Sequence, residues 1–410
     1  MISVDPLRLA RRQLEIDRER TARFAHLLEH KWARMSATPL AFLRGSAPLF
    51  YDVLARYPSL ADGPRGEGWL VGDAHLENFG AYRAGALSVA ETRTTIRKER
   101  VVFDLNDFDD AVIGPWRFDA LRLVTSLVLG GREMGADGRR TLALCDAMVE
   151  SYVASLFRRK KAIAPPNAVT ALMDRVRART RKQLLDARTV RLPGSGERRF
   201  VHGARYAPLP PKLRARAIRA FVRYVNGLPR QERPRGKGHE RAFEVIDVAF
   251  RVAGTGSLGC LRIGVLVRGK GGPDGAWIFD MKEEGLPSSA SLLRPPPLEP
   301  AERVVGAMGA CLVHPPRMIG TTSLRGSSMF VRRLTPQEDR IHLAEVDPID
   351  IEPLARHLGS LLGAAHRRGA SRLPKKEWSL ADCAGLRARA IALAGIHEAT
   401  YLAFCDLVRS

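Results

Sequence analysis

Asp73, His75, Glu77 and Asn78 stand close together directly behind the apolar run of GWLVGDAHLENFGAY. A second acidic run, Asp104, Asp107, Asp109 and Asp110, follows in VVFDLNDFDD, and far downstream AWIFDMK ends in Lys282. These are the parts that moving a phosphoryl group requires. A carboxylate accepts or orients the nucleophile's proton, oxygen ligands hold magnesium, and a lysine with a glycine-rich backbone holds the phosphates. The glycine-rich candidate is GTGSLG, with Gly254, Gly256 and Gly259, between the strand-like segments DVAFRV and CLRIGVLV. A lone G-x-G-x-x-G is more often a tight turn, and a lone strand-end lysine is ordinarily exposed. Their succession, hairpin and then lysine, raises both above those defaults.

Asp73 and Asn78 have the D-x-x-x-x-N spacing of a protein kinase catalytic loop, and DFD at 107–109 stands where the metal-binding aspartate would follow. VGDAHLEN resembles more closely the H-G-D-x-H-x-x-N loop of aminoglycoside and choline kinase-like enzymes, with Val71 in place of the first histidine. NDFDDAVIGPWRFDALRL is similar to their metal aspartate, glycine-containing turn and helix-opening acid, here Asp119. The resemblance implies Asp73 as base, His75 as a loop-orienting residue, and Asn78 and Asp107 as magnesium ligands. Asp104, Asp109 and Asp110 compete for the metal role, with Asp109 included in the candidate metal set beside Asp107. It further implies Lys282 as phosphate clamp, residues 254 to 259 as phosphate cover, and Glu302 as the acid pairing with the lysine, with Glu283 and Glu284 as alternatives. ATP and Mg2+ are the implied cofactors, and a hydroxyl or amine of a small molecule is the implied acceptor.

Nearly the whole chain also resembles a bacterial family catalogued as domain of unknown function 2252 and grouped with kinase-like proteins. The segments that carry this likeness are SATPLAFLRGSA, GDAHLENFG, VVFDLNDFDDAVIGPWRFDALRL, DVAFRVAGTGSLG, IFDMKEE and FVRRL. Because the catalytic loop precedes the glycine-rich segment, the expected fold is α+β and kinase-like, two-lobed, with a circularly permuted order. Permutation keeps a packed core while moving the termini to surface loops. The expected division is a helical catalytic-loop lobe over 1–240, a β-rich nucleotide lobe over 241–340, and C-terminal helices over 341–410 packing back on the first lobe. LGSLLGAAHRRG would then lie beside the catalytic loop in space only.

The elements that must position these groups are readable from periodicity. Residues 5–57 read as helices, with a Thr-Pro start before PLAFLRGSAPLF, and WLVGD reads as a strand. Residues 80–105 read as a hairpin, GPWRFDALRLVTSLVLGG as a helix, and Leu261, Ile263, Val265 and Val267 alternate as on a strand. A strand at 276–282, a helix from about 301, the strand SMFVRRL, the helix IEPLARHLGSLLGAAHRRG and a final helical region over 379–408 complete the pattern. Arg44, in FLRGSAP, is read either as a phosphate or substrate ligand or as a buttress of the acidic cluster. Glu77 is expected to face solvent, and His202, His314 and His397 to be surface or packing residues.

Composition bounds the partners. The 410 residues include 66 basic and 44 acidic side chains, a formal charge of +22 that predicts attraction to polyanions. The densest basic stretch, 158–219, spaces its arginines helically with few aromatics between them, the pattern of a solvated helix face rather than a base-stacking platform. Charge therefore allows a nucleic-acid partner without a motif to support one. No apolar run approaches a membrane span and the N-terminal segment lacks an apolar signal core, so the expectation is cytoplasmic. Five scattered cysteines without a CxxC are read as packing residues. Two other function classes compete. GDAH with a later aspartate cluster superficially resembles a dinuclear metallophosphoesterase, which needs further histidines and an Asn-His pair. The high charge and the missing histidine before Gly72 suggest a non-catalytic nucleotide- or polyanion-binding pseudokinase.

Overall fold

The computed structural model describes residues 4–85, 100–158, 163–233, 241–253, 258–272 and 274–409. Helices open the chain where caps and periodicity coincide. α1 (Pro6–Thr21) is capped by the Asp5 carboxylate, which accepts from the Leu7 and Arg8 amides at 3.0 and 3.2 Å. Pro6 sits in its first turn, where a missing N–H costs nothing. α2 (Leu28–Met35), α3 (Pro39–Gly45), α4 (Ala47–Arg56) and α5 (Pro58–Ala61) come after it, α3 starting at the Thr38-Pro39 cap.

Short strands then bracket the two acidic motifs: β1 (Glu67–Leu70), β2 (Phe79–Arg83), β3 (Val101–Leu105) and β4 (Val112–Pro115). β2 pairs antiparallel with β3 from Phe79↔Leu105 to Arg83↔Val101, while the middle of the expected hairpin, 86–99, lies outside the described residues. α6 (Arg117–Glu133) and α7 (Gly138–Leu156) run behind them. α8 (Asn167–Ala178), α9 (Arg181–Asp186), β5 (Thr189–Arg191), β6 (Arg198–Phe200), β7 (Tyr206–Ala207) and α10 (Pro211–Gly227) form the basic stretch. Arg175 and Arg177 are exposed there as expected, whereas Arg198 is buried between Asp186 and Asp274, each at 2.7 Å.

β8 (Val245–Arg251), β9 (Arg262–Val267), β10 (Trp277–Glu283), α11 (Pro300–Cys311), β11 (Gly320–Leu324) and β12 (Ser327–Leu334) come next. They build a six-stranded antiparallel sheet ordered β11-β12-β10-β9-β8-β7. Strand alternation divides its side chains. Ile263, Val265, Phe279, Met281 and Val331 pack on Phe221 and Tyr224 of α10. On the other face, Ala249, Leu266, Ile278 and Leu334 share an apolar patch with Phe200. Further along the same strands the alternate positions become Arg251, Arg262, Asp280, Lys282 and Arg332. The core of this sheet draws in β6, β7 and α10, so it begins well before residue 241.

The chain closes with β13 (Asp339–Arg340), α12 (Ile351–Arg368), β14 (Ala370–Arg372) and α13 (Leu380–Arg409). α12 packs on α7, α13 packs on α1 and α6, and both helices belong to the large core of the first helices. α13 is long and apolar enough to cross a membrane by length and composition, which corrects the expectation that no run approaches a span. Its residues Leu386, Ala390, Leu393, His397 and Phe404 are nevertheless buried against the protein, and a core helix passes the same test.

Candidate active site

β1 delivers the chain into the first acidic motif, and a fully buried acid fixes the backbone of the loop beyond it. Asp119, in the first turn of α6, accepts from the Val71 amide at 2.6 Å and the Gly72 amide at 3.0 Å. His366 of α12 meets the same carboxylate at 3.0 Å and is itself held by the Tyr152 hydroxyl at 2.8 Å. The Tyr51 hydroxyl donates to the Gly72 carbonyl at 2.6 Å, and Ser126 Oγ accepts from the Leu76 amide at 3.1 Å. Gly72 has φ +83, and a Cβ there would overlap the Asp110 carbonyl oxygen. Only glycine permits the two acidic motifs to touch at this point. α12 reaches the loop through space: Gly369, at its end, accepts from the Trp69 amide at 2.9 Å, and β14 pairs with β1.

Within this frame Asp73 receives Arg122, whose Nε donates to Oδ1 at 2.7 Å. Burial pushes the Asp73 carboxyl up to about 7 against the pull of Arg122, with Asp110 adding to the rise. His75 Nε2 lies 3.9 Å from Asp73 Oδ2, and burial together with the Arg44 and Arg122 charges holds its imidazole neutral, well below the usual histidine range. Asn78 is 3% exposed and donates through Nδ2 to the carbonyls of Asp73 at 3.1 Å and Asp107 at 3.3 Å. Its amide therefore ties one acidic segment to the other.

Across from Asp107 stands the charged part of the sheet. Lys282 is 5% exposed, forms an ion pair with Asp109, and has Glu284 at 3.3 Å. Burial alone would lower the lysine, yet Asp109, Glu284 and Asp107 together raise it, so it stays a cation. Burial opposes ionisation of Asp109 as well, but Lys282 holds that carboxyl down at about 2. Burial and the Asp109 charge push Asp107 up to about 7. The neighbouring carboxyls are thus driven apart, one an ion pair and the other poised to take a proton or a cation. Asp280 lies between Arg262 at 2.5 Å and Arg251 at 2.6 Å. Together Asp107, Asp109, Arg262, Asp280 and Lys282 border a cleft, with Val304 and Met308 of α11 and Phe330 as apolar wall.

Sequence expectations meet this geometry unevenly. Asp107 and Asp109 face Lys282, whereas Asp73, His75 and Asn78 do not line the cleft and connect to it through the Asn78 amide. Of the competing acids, Asp110 accepts from the Ser288 amide at 2.6 Å and Asp104 has Arg368 at 3.9 Å. Glu302 is exposed on α11, and the acids on Lys282 are Asp109 and Glu284. From α11 it is instead Arg303 that reaches in, donating to the carbonyls of Ala111, Asp109 and Gly285. Glu77 does not face solvent: it pairs with Arg44 and has Arg340 at 3.8 Å, which makes Arg44 a buttress of the loop. Gly254 and Gly256 lie outside the described residues, while Gly259 has φ +103 and packs so tightly on the Arg20 carbonyl that a Cβ would overlap it. Arg122 escaped the sequence reading, and Glu284 stood there only as an alternative to Glu302. The signals were present, Arg122 one helical turn after Asp119 and Glu284 alternating with Asp280 and Lys282.

No curated protein and no solved structure matches this chain. The family model described as "uncharacterized protein conserved in bacteria (DUF2252)" matches residues 23–406. Since the match takes in both acidic motifs, the six-stranded sheet and nearly all of the closing helices, the chain belongs to the DUF2252 family.

Proposed function

We propose that this chain is a kinase-like phosphotransferase that uses ATP and Mg2+ on a small-molecule hydroxyl or amine. What carries the proposal is one juxtaposition: Lys282 meets Asp109 beside Asp107 across a cleft, while Asn78 bonds the Asp73 and Asp107 backbones together. Supporting it is the order of elements, in which a β8–β9 hairpin, a third strand carrying a lysine and a following helix match the parts of a kinase nucleotide lobe. These parts come after the catalytic-loop motif in the chain, as circular permutation requires. The acid on Lys282 differs in origin, coming from Glu284 on the same strand rather than from the helix.

The residues present fit the implied metal. Asp107, Asp109 and Asn78 offer oxygen donors, the set a hard divalent cation takes, and the Asn78 nitrogen is already committed to two carbonyls, leaving its oxygen as the free end. Asp107, Asp109 and Asn78 would hold magnesium there, and its charge would offset that of the phosphate groups. Asp73, whose carboxyl is pushed up to about 7, accepts the proton of the acceptor group near neutral pH, and Arg122 orients it. Lys282 holds phosphate oxygens, and Arg303 fixes the backbone around Asp109. A dinuclear hydrolase gains no support, since among the described residues no three His, Cys, Asp or Glu side chains group to hold a metal.

Purified protein incubated with γ-labelled ATP, magnesium and a small-molecule extract should transfer label, and Asp73→Asn should slow transfer by roughly 10^2 to 10^4 while leaving the fold intact. Transfer undiminished in that folded variant would overturn the role of Asp73. Label transferred from α-labelled rather than γ-labelled ATP would make the chain a nucleotidyl transferase. Magnesium-dependent ATP binding without any transfer would make it a non-catalytic nucleotide binder.

A further inference from the structure

One end of the cleft carries charge that phosphoryl transfer at Lys282 does not use. Arg83 at the end of β2, Arg317 in the connection after α11, and Arg332 and Arg333 on β12 line it. Arg181, at the start of α9, joins Arg83, Arg333 and Thr335 in lining an adjoining cavity. Topology explains the convergence. The last pair between β11 and β12 is Gly320↔Val331, so residues 332–334 outrun the edge strand and pair only with β10. An isolated bridge, Ala84↔Pro316, brings the ends of β2 and of the Arg317 connection to the same place. Phe330 lies opposite Lys282 and Arg333 opposite Phe279, so the arginine end stands about 10 Å along the strands from the lysine.

The local acids do not balance Arg181, Arg317 and Arg333. Glu338 lies 3.4 Å from Arg332 and also accepts from the Thr335 amide at 3.0 Å. Arg317 donates to the Gln231 carbonyl at 3.2 Å, and Arg333 lies over the Trp277 ring at 5.2 Å with Met318 Sδ at 3.9 Å. Among the described residues no carboxylate forms an ion pair with Arg181, Arg317 or Arg333. Burial and mutual repulsion push both Arg83 and Arg333 down to about 10, although Glu338 partly offsets this at Arg333. Half-buried guanidinium groups of like sign, converging on a cavity, form a site that an anion would relieve.

We propose that this end of the cleft binds a phosphate group, held by Arg181, Arg317 and Arg333, as a second anion position separate from the one at Lys282. Guanidinium forks match phosphate oxygens with paired hydrogen bonds, and a phosphate monoester brings about −1.5 to −2 charges where a carboxylate brings only one. Resting on the kinase-like reading, the ligand is the acceptor: a small molecule that already carries a phosphate, which the arginines grip while its hydroxyl or amine takes the new one.

Calorimetric titration of the full chain with inorganic phosphate, against acetate at equal ionic strength, tests the site. Phosphate should bind saturably and acetate should not. The double substitution Arg317→Gln with Arg333→Gln should weaken phosphate about tenfold or more, as should Arg181→Gln alone to a smaller degree, while Arg175→Gln, exposed on α8 away from the cleft, leaves it unchanged. Because it removes repelling charges, the double variant should keep or raise the Tm of the phosphate-free protein, whereas arginines placed merely to pack on Trp277 would lower it. Phosphate affinity unaffected by the arginine changes, or weakened as much by Arg175→Gln, overturns the site. Arginine-dependent phosphate binding in a protein that shows no magnesium-dependent ATP binding supports the anion site while removing the kinase-like reading, so the two failures are distinguishable.

Discussion

The loop that carries Asp73 and the sheet that carries Lys282 fix their charges by different means. Behind the loop, one buried acid, Asp119, holds two consecutive backbone amides and a histidine, and Asp73 leans on Arg122. On the sheet, charges at alternate strand positions are set against one another: Asp280 between Arg251 and Arg262, Lys282 between Asp109 and Glu284. Backbone held by a single acceptor fails when that acceptor is removed, because several buried donors are orphaned together. Charges with more than one counter-charge fail by degrees. The loop is therefore the brittle element, as suits a group that must be aimed, and the sheet is the tolerant one.

Asp119→Ala should give the largest effect. It strands the Val71 and Gly72 amides and the His366 ring in a dry site, and stability should fall by about 4 kcal/mol, read from the urea midpoint. Gly72→Ala comes next, at about 3 kcal/mol, since it combines positive φ with overlap on the Asp110 carbonyl. On the tolerant sheet Glu284→Gln should cost less, about 2 kcal/mol, because Asp109 still pairs with Lys282. A Glu284 variant less stable than the Asp119 variant would invert the comparison.

The helices behind the loop should also set part of the acid sensitivity. His397 stacks on Phe50 with ring centroids 5.7 Å apart, and burial followed by the Arg122 charge lowers its pKa to about 3. In the unfolded chain the same ring takes a proton near 6.5. The unfolded state then binds more protons below that pH, so the stability from this group is complete above about 6.5 and is lost as pH falls. Between pH 7 and 5.5 its share of the loss should be about 1 kcal/mol, absent in His397→Leu when the two urea midpoints are compared. Smallest of all, Glu77→Gln should cost about 1 kcal/mol or less by releasing Arg44 and Arg340, and an unchanged midpoint would show that the loop does not need that brace.

Local pattern explains how much of this was legible in the sequence. Asp73, Asn78, Asp107 and Lys282 could be singled out as candidates because motif spacing and strand alternation are short-range, and so could Asp119 at the start of its helix. Glu77 was misread because its partners, Arg44 and Arg340, are distant in sequence and meet it only after folding. Glu302 was chosen over Glu284 on the expectation that a helix supplies the acid. The strand itself supplies it, because residues 282 and 284 share one face of a pleated chain. The packing of α10 on the sheet was hidden for a similar reason: α10 reads as a basic amphipathic helix, and nothing local says that Phe221 and Tyr224 cover strands beginning at residue 245.

Calorimetric titration of ATP, with and without magnesium, into the wild-type protein and the Lys282→Met and Asp107→Asn variants tests the central claim most directly. The account predicts magnesium-dependent ATP binding that either substitution weakens at least tenfold. ATP binding indifferent to both substitutions, or absent from the folded wild-type protein, would contradict it.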